Sequence, residues 1–177
     1  MKQYPKAYLD YLIFFHAERD YFECHEVMEE FWKAHPGDER SLTYVALIQI
    51  AVGLYHERRG NRAGAVKMIQ SAARNMAAPH IKSLGLDYPQ LHAMLTERAA
   101  QIQNGNSAYL EMNLPIIDAA LLAWCLQESA ARGFTWQGPS RMDDEALIHK
   151  HTLRDRSEVI EERERQQQIR KKKGGAQ

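Results

Sequence analysis

The run from Val45 to Leu54 constrains the fold more than any other part of the chain. Val45, Ala46, Leu47, Ile48, Ile50, Ala51, Val52 and Leu54 are apolar, with Gln49 as the polar interruption before Tyr55-His56. Wound as a helix, these side chains surround the axis instead of forming a stripe, the pattern of a helix buried on nearly every face. Such a helix needs amphipathic neighbours on several sides. Strict two-residue alternation is scarce elsewhere, and prolines and glycines fall between periodic segments, so the neighbours are helices too.

The spacing predicts helices over Pro5 to Glu18, Tyr21 to Ala34, Glu39 to Arg58, Arg62 to Met76, Pro89 to Gln103 and Pro115 to Ala131. Asp20, Asn61 and Asp87 sit where an N-cap oxygen is needed, and Pro36-Gly37 closes the second segment. Pro115 suits a first helical turn, and Gly133 suits a left-handed exit. Phe15-His16 and Arg19-Asp20 align with Tyr55-His56 and Arg59-Gly60. After a one-residue shift, Cys24, Val27, Met28 and Phe31 align with Ala65, Met68, Ile69 and Ala72. Two copies of a helix–turn–helix junction therefore point to an all-α fold, a compact multihelical bundle of stacked helical hairpins. Its outline is tetratricopeptide-like, but the tetratricopeptide tryptophan pattern is missing and two copies make no solenoid.

With 177 residues, 45% of them hydrophobic, the chain can build one core with material left over. The composition changes near Gly138, dividing a helical domain over 1–137 from a charged helical or disordered extension over 138–177. Cys24 and Cys125 lack metal-type spacing and sit in apolar helical patterns, as reduced packed thiols do in the cytoplasm. No apolar run reaches the roughly 18 residues that span a bilayer, so no membrane role is expected. Basic and acidic residues balance at 23 each, which excludes a whole-chain field favouring nucleic acid or anionic lipid.

Chemistry concentrates on the second helix. His25 and Glu29 are four residues apart, close enough to touch, and Trp32 continues their stripe, while Glu26 lies on the polar side of the helix. Gln49 and His56 share a side of the buried third helix, where an unpartnered polar group costs roughly 1–3 kcal/mol. His25 or Glu29 is the expected partner for them, in a polar cluster between the two helices with Trp32 and Tyr55 as candidate pocket walls. The series His25-Glu26-x-x-Glu29-x-x-Trp32, Leu47-Ile48-Gln49, Tyr55-His56 and Gly60-Asn61-x-x-Gly64-Ala65 resembles the bacterial helical family known as domain of unknown function 309, over about Tyr11 to Met76. The resemblance implies an all-helical fold and a shared polar site at His25, Glu26, Glu29, Gln49 and His56. It brings no reaction with it.

A zinc-protease helix needs His-Glu-x-x-His, and here Glu29 occupies the second histidine position. The Glu-x-x-His pairs of di-iron bundles are also absent. A mixed divalent-metal set from His25, Glu29 and His56 stays open. So does general acid/base chemistry, because a carboxylate beside histidine fixes its tautomer. No nucleophile motif accompanies them. Within the extension, Arg154, Arg156, Arg163 and Arg165 could meet phosphates, but Glu158, Glu161, Glu162 and Glu164 interrupt them. The leading expectation is a cytoplasmic protein-binding or scaffold module, compatible with a homo-oligomer. A small metal-dependent or acid/base enzyme is the alternative, and nucleic-acid contact through the tail is a lesser one.

Overall fold

The computed structural model describes residues 4–105 and 108–153. Its order is α1 (Lys6–Ile13), a π-helical turn (Phe14–Glu18), α2 (Tyr21–Ala34), α3 (Ser41–Arg58), α4 (Arg62–Asn75), α5 (Ala78–Ser83), α6 (Tyr88–Gln103), α7 (Ala119–Ala131), α8 (Glu145–Ile148) and α9 (Lys150–Leu153). The fold is the all-helical bundle that the sequence implies.

At its centre lies α3, buried from Thr43 to Arg58 on most of its circumference. It packs between α2 and α4, while α6 covers α4 and α1 joins α2 to α7. The α2–α3 hairpin is antiparallel: Trp32 at the end of α2 donates to Ser41 Oγ at 2.7 Å, and Arg58 at the end of α3 stacks on the Tyr21 ring at 4.7 Å. Against α4 the approach is closer still. A Cβ on Gly53 would lie 2.7 Å from Ile69 Cγ1, so the missing side chain is what lets the two helices meet.

The expected caps form, with Asp20, Asn61 and Asp87 accepting from the backbone N–H groups of Glu23, Gly64 and Gln90 at 2.9 to 3.1 Å. Gly133 takes its left-handed exit at φ 80. Three boundaries differ from expectation by more than one residue. The first helix does not run to Glu18 as an α-helix; it widens into the π turn and stops at Arg19, which is left-handed at φ 56. The third begins at Ser41, because Asp38 holds Arg40 through its backbone N–H at 2.8 Å and its guanidinium. The last begins at Ala119, with Asp118 capping Ala120 and Leu121. Pro115 does not open that helix. It lies in an extended segment beside Gly85-Leu86-Asp87, where Asp87 donates to the Pro115 carbonyl at 2.9 Å and Ile117 to that of Gly85 at 2.8 Å.

Of the extension, residues 138–153 are tied to the helices. Arg19 donates to the Gly138 carbonyl, Arg58 to Ser140 Oγ and the Leu147 carbonyl, and Leu147 and Ile148 are buried. The expectations for Arg154, Arg156, Arg163 and Arg165 and their intervening glutamates lie outside the described residues.

Candidate functional site

Helical spacing brings His25, Glu26 and Glu29 together on the outer side of α2. His25 Nδ1 lies 2.9 Å from Glu26 Oε1, and Nε2 lies 3.6 Å from Glu29 Oε2. All three side chains keep about a third of their surface exposed, so the cluster is open to solvent. Glu29 also meets Lys33 at 3.1 Å. The two carboxylates approach opposite nitrogens of one ring, which sets the chemistry available. With Nδ1–H donating to Glu26, the tautomer is fixed and Nε2 is left as a ligand or base directed toward Glu29. One potential ligand atom from each of the three residues lies within 4.8 Å of the others. In that arrangement His25 and Glu29 would ligate and Glu26 would orient.

Gln49 and His56 do not bond to this cluster. Gln49 accepts from Asn75 on α4 at 2.9 Å, and His56 Nδ1 lies 3.2 Å from the Asn61 amide at the start of α4. Burial, then the nearby Arg59 guanidinium, pushes the His56 pKa down. The expected seam between α2 and α3 is thus divided, its α3 members facing α4. Trp32 is anchored on Ser41, and Tyr55 shares its hydroxyl with His151 Nδ1 at 2.8 Å. That histidine also faces Arg59 at 3.0 Å.

A family model for a domain of unknown function, DUF309, matches residues 8–68, which run from within α1 to the middle of α4 and include the whole cluster. The uncharacterized protein YpuF of Bacillus subtilis (strain 168) is 46% identical over 171 residues, 96% of this chain and 98% of that protein. This chain belongs to the DUF309 family. An uncharacterized protein of Aquifex aeolicus (strain VF5) is 26% identical over 95 residues, 54% of the chain and 28% of that protein. No solved structure matches.

Beyond the stretch that the DUF309 model matches, the chain closes on a buried polar framework that sequence reasoning missed. Arg19, 1% exposed, donates to the carbonyls of Phe15, Met112 and Gly138 and to Asn113 Oδ1, and lies 3.6 Å from Glu111. Burial pushes the Glu111 carboxyl up, but hydrogen bonds from Ser140 and Tyr109 and the charge of Arg19 outweigh it and hold the group low. His16 is fully buried against Trp136; Nδ1 donates to the Leu12 carbonyl at 3.0 Å and Nε2 accepts from Leu114 N–H at 2.9 Å. Glu57 and Arg98 form a buried pair at 2.9 Å, with Arg98 also donating to the Leu110 carbonyl. The aromatic-His-x-x-Arg stretch hinted at His16 and Arg19. Nothing local distinguishes Arg58, Glu57 or Arg98 from surface charges.

Among the described residues, helix-walled clefts lie in two places on the surface. The first, about 620 Å³, is bounded by Phe22, Glu23, Glu26 and Glu30 of α2 and by Ala146 and Lys150. Lys150 is held by Asp20 at 2.6 Å and Glu23 at 2.8 Å. The second lies between α4 and α6 and is rimmed by Arg62, Lys67 and Arg74.

Proposed function

We propose that the chain is a helical protein-binding module of the cytoplasm. The observation that carries this reading is the segregation of charge between its two open clefts: Glu23, Glu26 and Glu30 edge one, Arg62, Lys67 and Arg74 the other, each with apolar side chains between the charges. Lys150 at the first cleft is already paired with Asp20 and Glu23, so acidic groups predominate there, and surfaces dominated by one sign with apolar contacts select partners by electrostatic complementarity. The charged groups inside the molecule serve a different purpose, joining helix ends to the segment from Met112 to Leu147. Two buried free thiols favour a reducing compartment.

A photo-crosslinking residue placed at Glu30, at Val66 and, as a control, at exposed Gln90 tests the module in the cells that make it. Discrete adducts at the cleft positions and none at the control are expected. The same adduct pattern at all three sites would sink the reading.

The proximity of His25, Glu26 and Glu29 favours a second reading, in which Nε2 of His25 and Glu29 hold a divalent metal or handle a proton for a small enzyme. Calorimetric titration with zinc and manganese tests it. A single saturable site lost in His25→Ala supports the metal reading, and no heat in excess of dilution removes it.

A further inference from the structure

The groove between α4 and α6 carries more than a patch of charge. Two adjoining clefts of about 420 and 450 Å³ share Gln70, Arg74 and Gln103, so the depression is continuous along both helices. Half-buried Val66 and Ala73 of α4 present apolar surface along it, and Leu95, Ala99 and Ile102 of α6, buried beneath, form its floor. Lys67 and Arg74 stand two turns apart on one edge of α4, and Arg62 stands at its start. All three are exposed. Arg74 donates to Ser71 Oγ at 2.9 Å, and among the described residues no carboxylate lies in ion-pair range of any of the three. α4 itself carries no acidic residue. Glu57 of α3 is buried and pairs through Oε2 with Arg98, and the Glu97 carboxylate on α6 accepts from Gln101.

We propose, resting on the binding-module reading, that this groove takes an acidic amphipathic helix from a partner protein. Three features select that occupant. From Arg62 to Arg74 the groove runs about 18 Å along the helix rise, the length of roughly three turns of a docked helix. The apolar side chains between two parallel walls suit leucine-type anchors at i, i+3, i+4 and i+7. The uncompensated cations on the rim suit glutamates flanking those anchors. A single-stranded nucleic acid would need aromatic platforms for its bases, and none of the side chains lining these two clefts is aromatic.

The test uses the full chain and a labelled, helix-stapled peptide of leucines at i, i+3, i+4 and i+7 with glutamates elsewhere, followed by fluorescence anisotropy at low salt. Its lysine counterpart and a labelled oligouridine are the comparison probes. The glutamate peptide binds saturably, and the triple variant R62E/K67E/R74E weakens it by about tenfold or more while gaining affinity for the lysine peptide. These substitutions are at exposed sites, and an unchanged melting curve shows that the variant remains folded. Absence of saturable binding by the glutamate peptide overturns the proposal, as does binding indifferent to the charge reversal. Oligouridine that competes with the peptide and loses its own binding in the same variant reassigns the groove to nucleic acid. If the groove fails while crosslinked adducts at Glu30 persist, only this occupant is lost; if adducts vanish at every position, the module reading falls with it.

Discussion

The two hairpin junctions solve one geometric problem with opposite materials. Each reverses the chain through a left-handed residue and then caps the next helix, Arg19-Asp20 leading into α2 and Gly60-Asn61 into α4. At the second junction Gly60 N–H donates to the Glu57 carbonyl and Asn61 N–H to that of His56, both at 2.9 Å, the paired bonds of a Schellman end. At the first, Arg19 and Asp20 both donate to the Phe14 carbonyl, so the π turn closes over one more residue. That extra residue places the repeat's one-residue shift before the turn, pairing Arg19 with Gly60 instead of Arg59. It also separates the two histidines, leaving His16 buried and His56 half-exposed. The glycine junction is a local turn; the arginine junction is a tertiary clamp.

The largest expected effect follows from that difference. Arg19→Ala leaves the Met112 and Gly138 carbonyls and the side chains of Asn113 and Glu111 without their buried cation, a loss of roughly 3–5 kcal/mol for removing one member of a buried charged network. Gly60→Ala meets nothing within 4 Å and carries only the left-handed penalty of roughly 1–2 kcal/mol. Urea melts of both variants check the ranking. If Arg19→Ala is no worse than Gly60→Ala, the clamp is not what separates the junctions.

This contrast also shows why some of the molecule was legible in the sequence. The buried α3 follows from apolar residues all round an axis, and the caps at Asp20, Asn61 and Asp87 follow from one side chain meeting a backbone group three residues on. His25, Glu26 and Glu29 are equally local. Arg19 is different, because a left-handed arginine leaves no glycine to mark the turn and its partners come from residues 111–113 and 138. Gln49 and His56 were correctly expected to need partners, but their partners Asn75 and Asn61 lie on α4, a choice made by how α3 rotates between its neighbours. The extended run through Pro115 was missed because a proline permits either a helix start or an edge segment.

His16 should give the clamp a pH dependence that the glycine junction lacks. Burial pushes its pKa down from 6.5 to about 3, reinforced by the Arg19 charge, and a protonated ring would lose the Leu114 bond. A histidine depressed on folding contributes stability above its unfolded pKa and loses it as pH falls from about 6.5 toward 3, at ~1.4 kcal/mol per unit. Relative to pH 7, the contribution should therefore be smaller by ~2 kcal/mol at pH 5. His16→Gln should lack that slope in parallel melts, and equal slopes would show that His16 does not carry it.

The caps differ by less. Asn61→Ala removes one acceptor at the start of α4, about 1 kcal/mol. Asp20→Ala removes the equivalent acceptor and also the Lys150 contact at 2.6 Å, adding a fraction of a kcal/mol because that lysine is a third exposed. Proteolysis near Lys150 should accelerate only in the Asp20 variant. Equal rates in both would mean that Lys150 is held by Glu23 without help from the cap.

The smallest effect is expected at His56, and its smallness is informative. His56→Ala removes a half-exposed ring whose contact with the Asn61 amide can be replaced by water, so the change should stay within about 0.5 kcal/mol. Asn61 keeps its capping bond to Gly64 whether or not the ring is present. Were His56 instead the counterpart of His16 suggested by the aromatic-His pairs, its removal would open a buried hole and cost several times more. A melt of His56→Ala beside His16→Ala separates the two. A large loss at His56 would mean that the aromatic-His pairs mark equivalent positions after all, and that the extra residue in the π turn does not reassign them.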